Sequence, residues 1–578
     1  MTRALLCSVL LLSLSCSSGS SDNGDNTGGN GNTSGSGNQT GGSSGSVGTS
    51  GSGNNAGSAG AGTAGMSNGG AGGTGSGTTG ASVTQWGGDI ARSAHYVAPS
   101  LTKASITAMP SKMQFDTFTA PAGGAEYAGK FAGEVAAIPL YLAGATAGAG
   151  EYIVSTTQND VYAFNESTGA LLWKHNVGAN LGQGTSACGT PTNHGIVGTP
   201  VIDATSRVIY LAAGMADAHK EIHALNADTG MEMPGGWPVD VSKFMVAGVP
   251  FLSTRQSQRS ALSLVAGVVY VAFGGYCGDA GAYHGVVVGV NSKDPTKTGV
   301  WFTMDQQAGI WAPGGMASDG TGVFAVTGNT GGATDHTKSD SEEIIRVTGL
   351  GVGNRDAKNM FFPTEWVDPM NAHDQDFGSS SPAVVTVPNS TPSTIIVAPS
   401  KPGRLYFLDA GNLGASLGQF ADLAVADTSA SASSLYTAPS AYQSMSGVHV
   451  TLTTGKGSQC PDPVGVNDGS VMSILMQPGA TPDKAPTPKI SWCAKVGDVH
   501  RSPVSTNSMG STDPIVWIMN GSKLNGFDGE TGAVVFDGGT GTCAGVHAFT
   551  QVIVANGHIL TVGDAANQAH LCSWSVHN

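Results

Sequence analysis

The chain has 578 residues, of which 87 are glycine and only 11% are charged, with a formal net charge of −15. An acidic balance without basic clusters speaks against nucleic-acid binding. The length suffices for one large folded body or for several small domains.

Residues 1–15 read as a targeting segment: Arg3 supplies the positive start and the apolar stretch from Ala4 to Ser15 is too short to span a bilayer. Cys16 and a Ser-rich tract follow at once, which is similar to a bacterial lipoprotein signal with the lipid on Cys16, although Ser13 stands where that motif prefers Leu. The alternative is an ordinary secretory signal. Either reading takes the protein out of the cytoplasm, to the periplasm, outer membrane or cell surface, with membrane contact only through the anchor. Residues 16–81 are almost wholly Gly, Ser, Asn, Thr and Ala. They carry too little apolar surface to fold and form a tether with a root-mean-square span of roughly 45 Å.

The folded body is expected over 83–578. Its organising unit is Asp160-Val-Tyr-Ala-Phe-Asn-Glu-Ser-Thr-Gly-Ala-Leu-Leu-Trp173, an alternating run, a tight turn with Gly169 free to take positive φ, and a second apolar run. One hairpin cannot cover its own apolar face. The pattern returns at Glu221–Gly230 and Lys523–Phe536, and more loosely at His284–Asn291 and Arg404–Gly411. The Asn or Asp entering the turn falls at 165, 226, 291, 409 and 528, roughly one unit per 60 residues with two degenerate copies, at 343–347 and 470–474. Further strands precede several hairpins, as at 198–203 and 207–214.

Strand and turn alternation at this long period, without helical periodicity, predicts an all-β fold: a β-propeller of four-stranded antiparallel blades. Strands at 551–555, 558–562 and 571–576 leave the last blade one strand short. The run 113–118 supplies the missing strand and closes the ring, which gives eight blades, with seven as the alternative.

Six cysteines lie in the folded body, and an even number in an exported chain suggests disulfides. Of the fifteen pairings, Cys460–Cys493 and Cys543–Cys572 are favoured because each falls within or beside one blade; Cys188–Cys277 remains. No CxxC spacing points to structural zinc.

The hairpin repeat, with Tyr162–Trp173 and His223–Gly230 as its best copies, resembles the Ala-Leu-Asp-x-x-Thr-Gly-x-x-x-Trp repeat of the pyrroloquinoline quinone (PQQ) propeller family. Gln85-Trp-Gly-Gly-Asp-x-x-Arg92 is similar to the opening segment of its alcohol dehydrogenases. By resemblance, Gly309–Gly320 carries a Trp on which the quinone lies flat, Trp311, and the Gly-Asn ending Val323–Asn329 carries a calcium ligand, Asn329. Ala372-His-Asp-Gln-Asp-Phe377 is similar to the family's His-Asp-x-x-Asp segment, one residue shorter, so Asp374 and Asp376 compete for the catalytic role. Ser400–Asp409 is similar to the strand whose Lys contacts the quinone oxygens, here Lys401. The family's vicinal Cys-Cys pair is missing, and its Glu ligand has no clean match; Asp217 is the nearest acidic residue at that blade position. No Cys-x-x-Cys-His is present to hold haem.

These residue types suit the chemistry. An indole face stacks a planar quinone, calcium takes amide and carboxylate oxygens, a carboxylate accepts an alcohol proton, and an ammonium faces a developing oxyanion. The resemblance implies a PQQ- and calcium-dependent oxidoreductase acting on an alcohol or sugar-type substrate. The alternative is a non-catalytic propeller that scaffolds envelope proteins or binds surface ligands. Outside these segments, Asp335, Asp340, Glu342 and Glu343 surround Lys338 beside His336, without the spacing of a calcium loop, and read as a solvated loop. Ser379–Ser381 lacks a Gly-x-Ser-x-Gly frame, so a serine hydrolase is unsupported.

Overall fold

A computed structural model describes residues 81–576 except 109–112, 117, 120–125, 183–190, 277–278, 421–434, 436, 456–459, 461–468, 498–499 and 566–567. The targeting segment, Cys16, almost all of the 16–81 tether and the pair Cys188–Cys277 lie outside the described residues.

The hairpin unit forms as its residues dictate. The Asn165 side-chain oxygen accepts the backbone N–H groups of Ser167 and Thr168 at 3.1 and 3.0 Å, and Gly169 turns the chain at φ 65°. Asn226, Asn291 and Asp528 hold the same turn in their own blades. The Trp that ends the repeat docks one blade on the next. Trp173 donates its indole N–H to Ala227 O at 2.6 Å, and its ring lies so close over Gly230 that a Cβ there would fall 2.4 Å away. Trp492 repeats this on Gly529 and Gly532. The motif is therefore a contact between neighbouring blades as well as a turn.

Eight four-stranded antiparallel sheets follow in chain order. Their innermost strands are Leu140–Leu142, Val201–Asp203, Ser263–Val265, Ala317–Ser318, Ala383–Thr386, Ser440–Gln443, Val504–Asn507 and Ile553–Ala555. The degenerate copies are the third strands of blades four and six, Ile344–Thr348 and Gly469–Gln477. The eighth blade is completed by Met113–Asp116, which pairs antiparallel with Gln568–Val576, and Phe115 packs edge-on to Trp574 with ring centroids 5.3 Å apart. The ring closes as the strand count required, with the closing strand described over Met113–Asp116. Cys460–Cys493 and Cys543–Cys572 are both bonded.

The opening segment runs across the middle of the ring. Backbone hydrogen bonds join Val83 to Tyr141, Thr84 to Ile202, Ile90 to Ser318, Ala91 to Val384, Ser93 to Ala441 and Ala94 to Ser505. Arg92, fully buried, donates to Trp86 O, Gln85 Oε1, Leu262 O and Ser263 Oγ. A single stretch thus touches the innermost strands of blades one to seven, and its end, His95–Val97, adds a parallel strand to the seventh. These contacts account for the buried Gln and Arg: Nη1 and Nη2 of Arg92 meet four acceptors, while its Nε finds none.

Candidate functional site

In a four-stranded meander the connections from second to third strand, and from outermost strand to the next blade, leave on one face of the ring. The residues singled out above lie in such connections. Trp311 is in 303–316, between blades three and four; Asn329 is in 327–343, within blade four; Asp374 and Asp376 are in 355–382, between blades four and five; Lys401 opens the turn 401–403 of blade five. Asp217 is in the corresponding connection of blade two.

The structure brings five of these six together. Lys401 pairs with the Asp376 carboxylate at close range and donates to Asp374 Oδ1 and Asp374 O at 3.3 and 3.0 Å. Asp376 Oδ1 accepts the Asn329 backbone N–H at 3.2 Å, and Oδ2 accepts the Ser379 hydroxyl at 3.0 Å. Gly328 links the indole to this carboxylate: a Cβ there would stand 2.3 Å from the Trp311 ring and 3.2 Å from Asp376 Oδ1. Trp311 is half-buried, pinned by an indole N–H donated to Gly275 O at 3.0 Å and pressed against Gly274 and Gly309.

The sixth stands apart in its contacts. Asp217 is bound to His219, and its carboxylate is 72% exposed. Two other acids belong to the cluster instead: Glu342, which the sequence placed in a solvated loop, and Asp279, which no motif marked. Glu342 is fully buried; Oε2 accepts the Phe377 N–H at 2.6 Å while Oε1 has no partner. Asp279 accepts the Tyr283 hydroxyl at 2.6 Å and feels the charges of Asp376, Asp374 and Lys401. The acidic connection 335–343 is accordingly not a solvated loop. Asp335 and Lys338 pair at its exposed end, but Asp340, Glu342 and Glu343 are fully buried. Arg355 neutralises Asp340 by ion pairing, which allows the buried charge. The run of acids in the sequence carries no sign of the inward fold.

Burial and charge set the protonation of the cluster. Burial alone would lower the Lys401 ammonium, but Asp376 and then Asp374 outweigh it and hold it above the usual lysine range. Burial, then the charge of Asp376, pushes the Asp374 carboxyl up, against Lys401. Burial, with Asp376 adding to it, pushes Glu342 well above the carboxylate range, and burial pushes Asp279 up to about 6 despite the Tyr283 hydrogen bond. Carboxyls raised by burial thus stand beside one ammonium, an arrangement suited to proton transfer.

The donor set fits a calcium ion and a planar quinone. The Asn329 side-chain oxygen and Glu342 Oε1 are buried and unpartnered, and amide and carboxylate oxygens are what calcium takes. The half-buried indole beside Asp376 offers an aromatic surface, and Lys401 a cation.

No protein-family model matches the chain, and no curated protein sequence matches it. Solved structures do. The quinohaemoprotein alcohol dehydrogenase of Comamonas testosteroni is similar over 85% of this chain and 80% of its own, with a TM-score of 0.52 at 12% identity. A quinohaemoprotein alcohol dehydrogenase of Pseudomonas putida covers 86% and 80%, with 0.57 at 13%. A europium-containing methanol dehydrogenase covers 83% and 90%, with 0.52 at 13%. At such identities the likeness is one of fold, and it agrees with the eight blades described above.

Proposed function

We propose that this protein is a PQQ- and calcium-dependent oxidoreductase that oxidises an alcohol or sugar-type substrate. The observation that carries the reading is the meeting of Trp311, Asn329, Asp376 and Lys401, drawn from four separate connections, on one face of the ring. The solved structures of similar fold are named as alcohol and methanol dehydrogenases, which supports the substrate class.

Asn329 Oδ1 and a carboxylate oxygen of Asp376 would hold the metal, with Glu342 Oε1 as a further donor in place of the missing Glu. Trp311 would carry the cofactor ring, and Lys401 would lie against its oxygens. When bound, the quinone supplies the hydride acceptor, activated by calcium. Asp376 would take the substrate hydroxyl proton. Lys401, held charged by both aspartates, would stabilise negative charge developing beside it. Asp374, the more exposed of the two, would keep that ammonium in place from the solvent side.

We further propose that the protein acts outside the cytoplasm, tethered by lipid on Cys16. A second reading, a non-catalytic propeller binding envelope proteins or surface ligands, is favoured by one observation: Asp217, the acid at the usual ligand position, is engaged by His219.

The two readings separate in one assay. Protein reconstituted with PQQ and calcium is offered primary alcohols and sugars with an artificial electron acceptor. Turnover that Asp376→Asn lowers at least a hundredfold supports the oxidoreductase; bound PQQ with no turnover on any substrate favours the second reading.

A further inference from the structure

The seam where the ring closes is packed differently from the two described above. Trp173 and Trp492 each lie on the outermost strand of a blade and press on Gly230 and Gly532 in the turn of the next. Between the eighth blade and the first, the place over the turn glycine, Gly169, is taken by Phe118, which follows the closing strand Met113–Asp116; a Cβ on Gly169 would fall 2.3 Å from its ring. A phenyl ring is smaller than an indole, and this seam opens a cavity of about 580 Å³. Small-molecule sites run from roughly 300 to 1,000 Å³. Gly148 and Asn556 enter the cavity from turns between first and second strands, and residues 166–168 from a turn between third and fourth. Those turns lie on the face opposite the connections that carry the Lys401 cluster. The polar groups are fixed by the protein itself. Asn556 Nδ2 donates to Glu166 Oε2 at 2.7 Å, and the Tyr141 hydroxyl meets the same oxygen at close range. Ser575 donates to Asp116 Oδ2 at 2.6 Å, and His558 Nδ1 lies 2.9 Å from Ser573 Oγ. Phe118 stands edge-on to Tyr152, with ring centroids 6.2 Å apart. Ser573 is buried, and Asp116 approaches His558 through that same Nδ1, at 3.8 Å, so these three do not make a nucleophilic triad.

We propose that this seam is a binding site for a small neutral sugar, a mono- or disaccharide, distinct from the Lys401 cluster and independent of the oxidoreductase reading. The described residues lining the cavity include two carboxylates and no lysine or arginine, so phosphate, sulfate and other anions are repelled. Carboxylate oxygens accept from the hydroxyls in which a sugar is rich, as charge-assisted hydrogen bonds. Hydroxyl and amide donors already steady both carboxylates, so the cavity calls for further hydroxyls rather than for a counter-charge. The half-buried Phe118 ring offers apolar surface to the C–H face of a pyranose. An aromatic wall with a few fixed polar groups is the usual make-up of a small-molecule site, and groups held before binding lose little freedom when the ligand arrives. The competing account is a water-filled cleft left over from ring closure.

The test uses the full-length protein without PQQ or calcium. It is titrated with glucose, galactose, N-acetylglucosamine and cellobiose by saturation-transfer magnetic resonance and calorimetry, with putrescine and inorganic phosphate as cationic and anionic probes. Saturable binding of at least one of the sugars, at one per chain, is expected, and none of phosphate. Glu166→Gln, which keeps the shape of the side chain, weakens that binding at least tenfold, and Phe118→Ala does the same. Each variant is checked for an unchanged circular dichroism spectrum; where Phe118→Ala fails to fold, the near-isosteric Asp116→Asn takes its place. Failure of the wild type to bind any of the four sugars overturns the proposal in favour of the water-filled cleft. Sugar binding that Glu166→Gln leaves unchanged overturns it too, as does putrescine or phosphate binding tighter than every sugar. Sugar binding that Asp376→Asn abolishes places the sugar on the Lys401 face and likewise overturns it. Each readout is binding without turnover, so failure here leaves the oxidoreductase reading to its own assay.

Discussion

The Lys401 ammonium, on the fifth blade, is shared between Asp376 and Asp374, two acids of the connection that leads into that blade from the fourth. The pair with Asp376 is mostly shielded from water, with side-chain exposures of 14% and 5%. This contact ties the two blades together at the mouth of the ring and decides the charge of the cluster.

Removing that cation leaves Asp376 buried beside Asp374, Asp279 and Glu342 without compensation. Lys401→Ala is therefore expected to lower stability by roughly 3–5 kcal/mol, the range for breaking a buried pair from one side. Urea denaturation followed by circular dichroism measures this. A loss under 1 kcal/mol shows the pair to be a solvated contact.

The raised Asp279 carboxyl makes stability depend on pH in a stated direction. Its folded value of about 6 lies above the ordinary 3.8, so between these values the folded state binds more proton than the unfolded one. Stability from this group is present at low pH and is lost as pH rises through 6. Asp279→Asn, which keeps an oxygen to accept the Tyr283 hydroxyl, should gain on wild type from pH 4 to pH 7. The check is a pair of thermal-unfolding profiles in chelator; a constant difference across that range would refute the assignment.

Ring closure rests on Met113–Asp116 covering the edge of Gln568–Val576. Phe115→Ala removes its ring contact with Trp574 and should cost about 2 kcal/mol, given that Phe115 is only half-buried. Replacing Cys543 and Cys572 by Ser opens a link spanning 29 residues within the same region and should cost roughly 3–4 kcal/mol. Denaturation midpoints measure both, and light scattering reports any edge-to-edge association.

Lipid on Cys16 is open to a direct check. In a bacterial host, wild type should incorporate labelled palmitate and fractionate with membranes, and Cys16→Ser should do neither. Label retained by the variant would remove the anchor from the account.

Much of the fold was legible because several blades repeat a turn that needs Asn or Asp, and two of them a Trp that docks on the neighbouring blade. Those requirements leave marks at fixed spacing, and the same spacing exposed the strand missing from the last blade. The grouping of Trp311, Asn329, Asp376 and Lys401 was legible by resemblance. The burial of Glu342 and Asp340 was not: a loop that folds inward over its ring has the composition of one that faces water, until Arg355 and the Phe377 N–H are seen to be its partners. Asp279 lay in a connection with no repeated motif to mark it. The tie between Asp217 and His219 shows itself only once the chain is folded, although His219-Lys-Glu221-Ile-His223 stands in plain alternation.

The central claim is that one face of the ring holds PQQ on Trp311 beside Lys401. Titration of the chelator-stripped protein with PQQ, with and without calcium, followed by quenching of tryptophan fluorescence, tests it most directly. Saturable, calcium-dependent quenching at one PQQ per chain, weakened at least tenfold in both Trp311→Ala and Lys401→Ala, is the expected result. Absence of saturable binding, or binding that both variants leave intact, would contradict it.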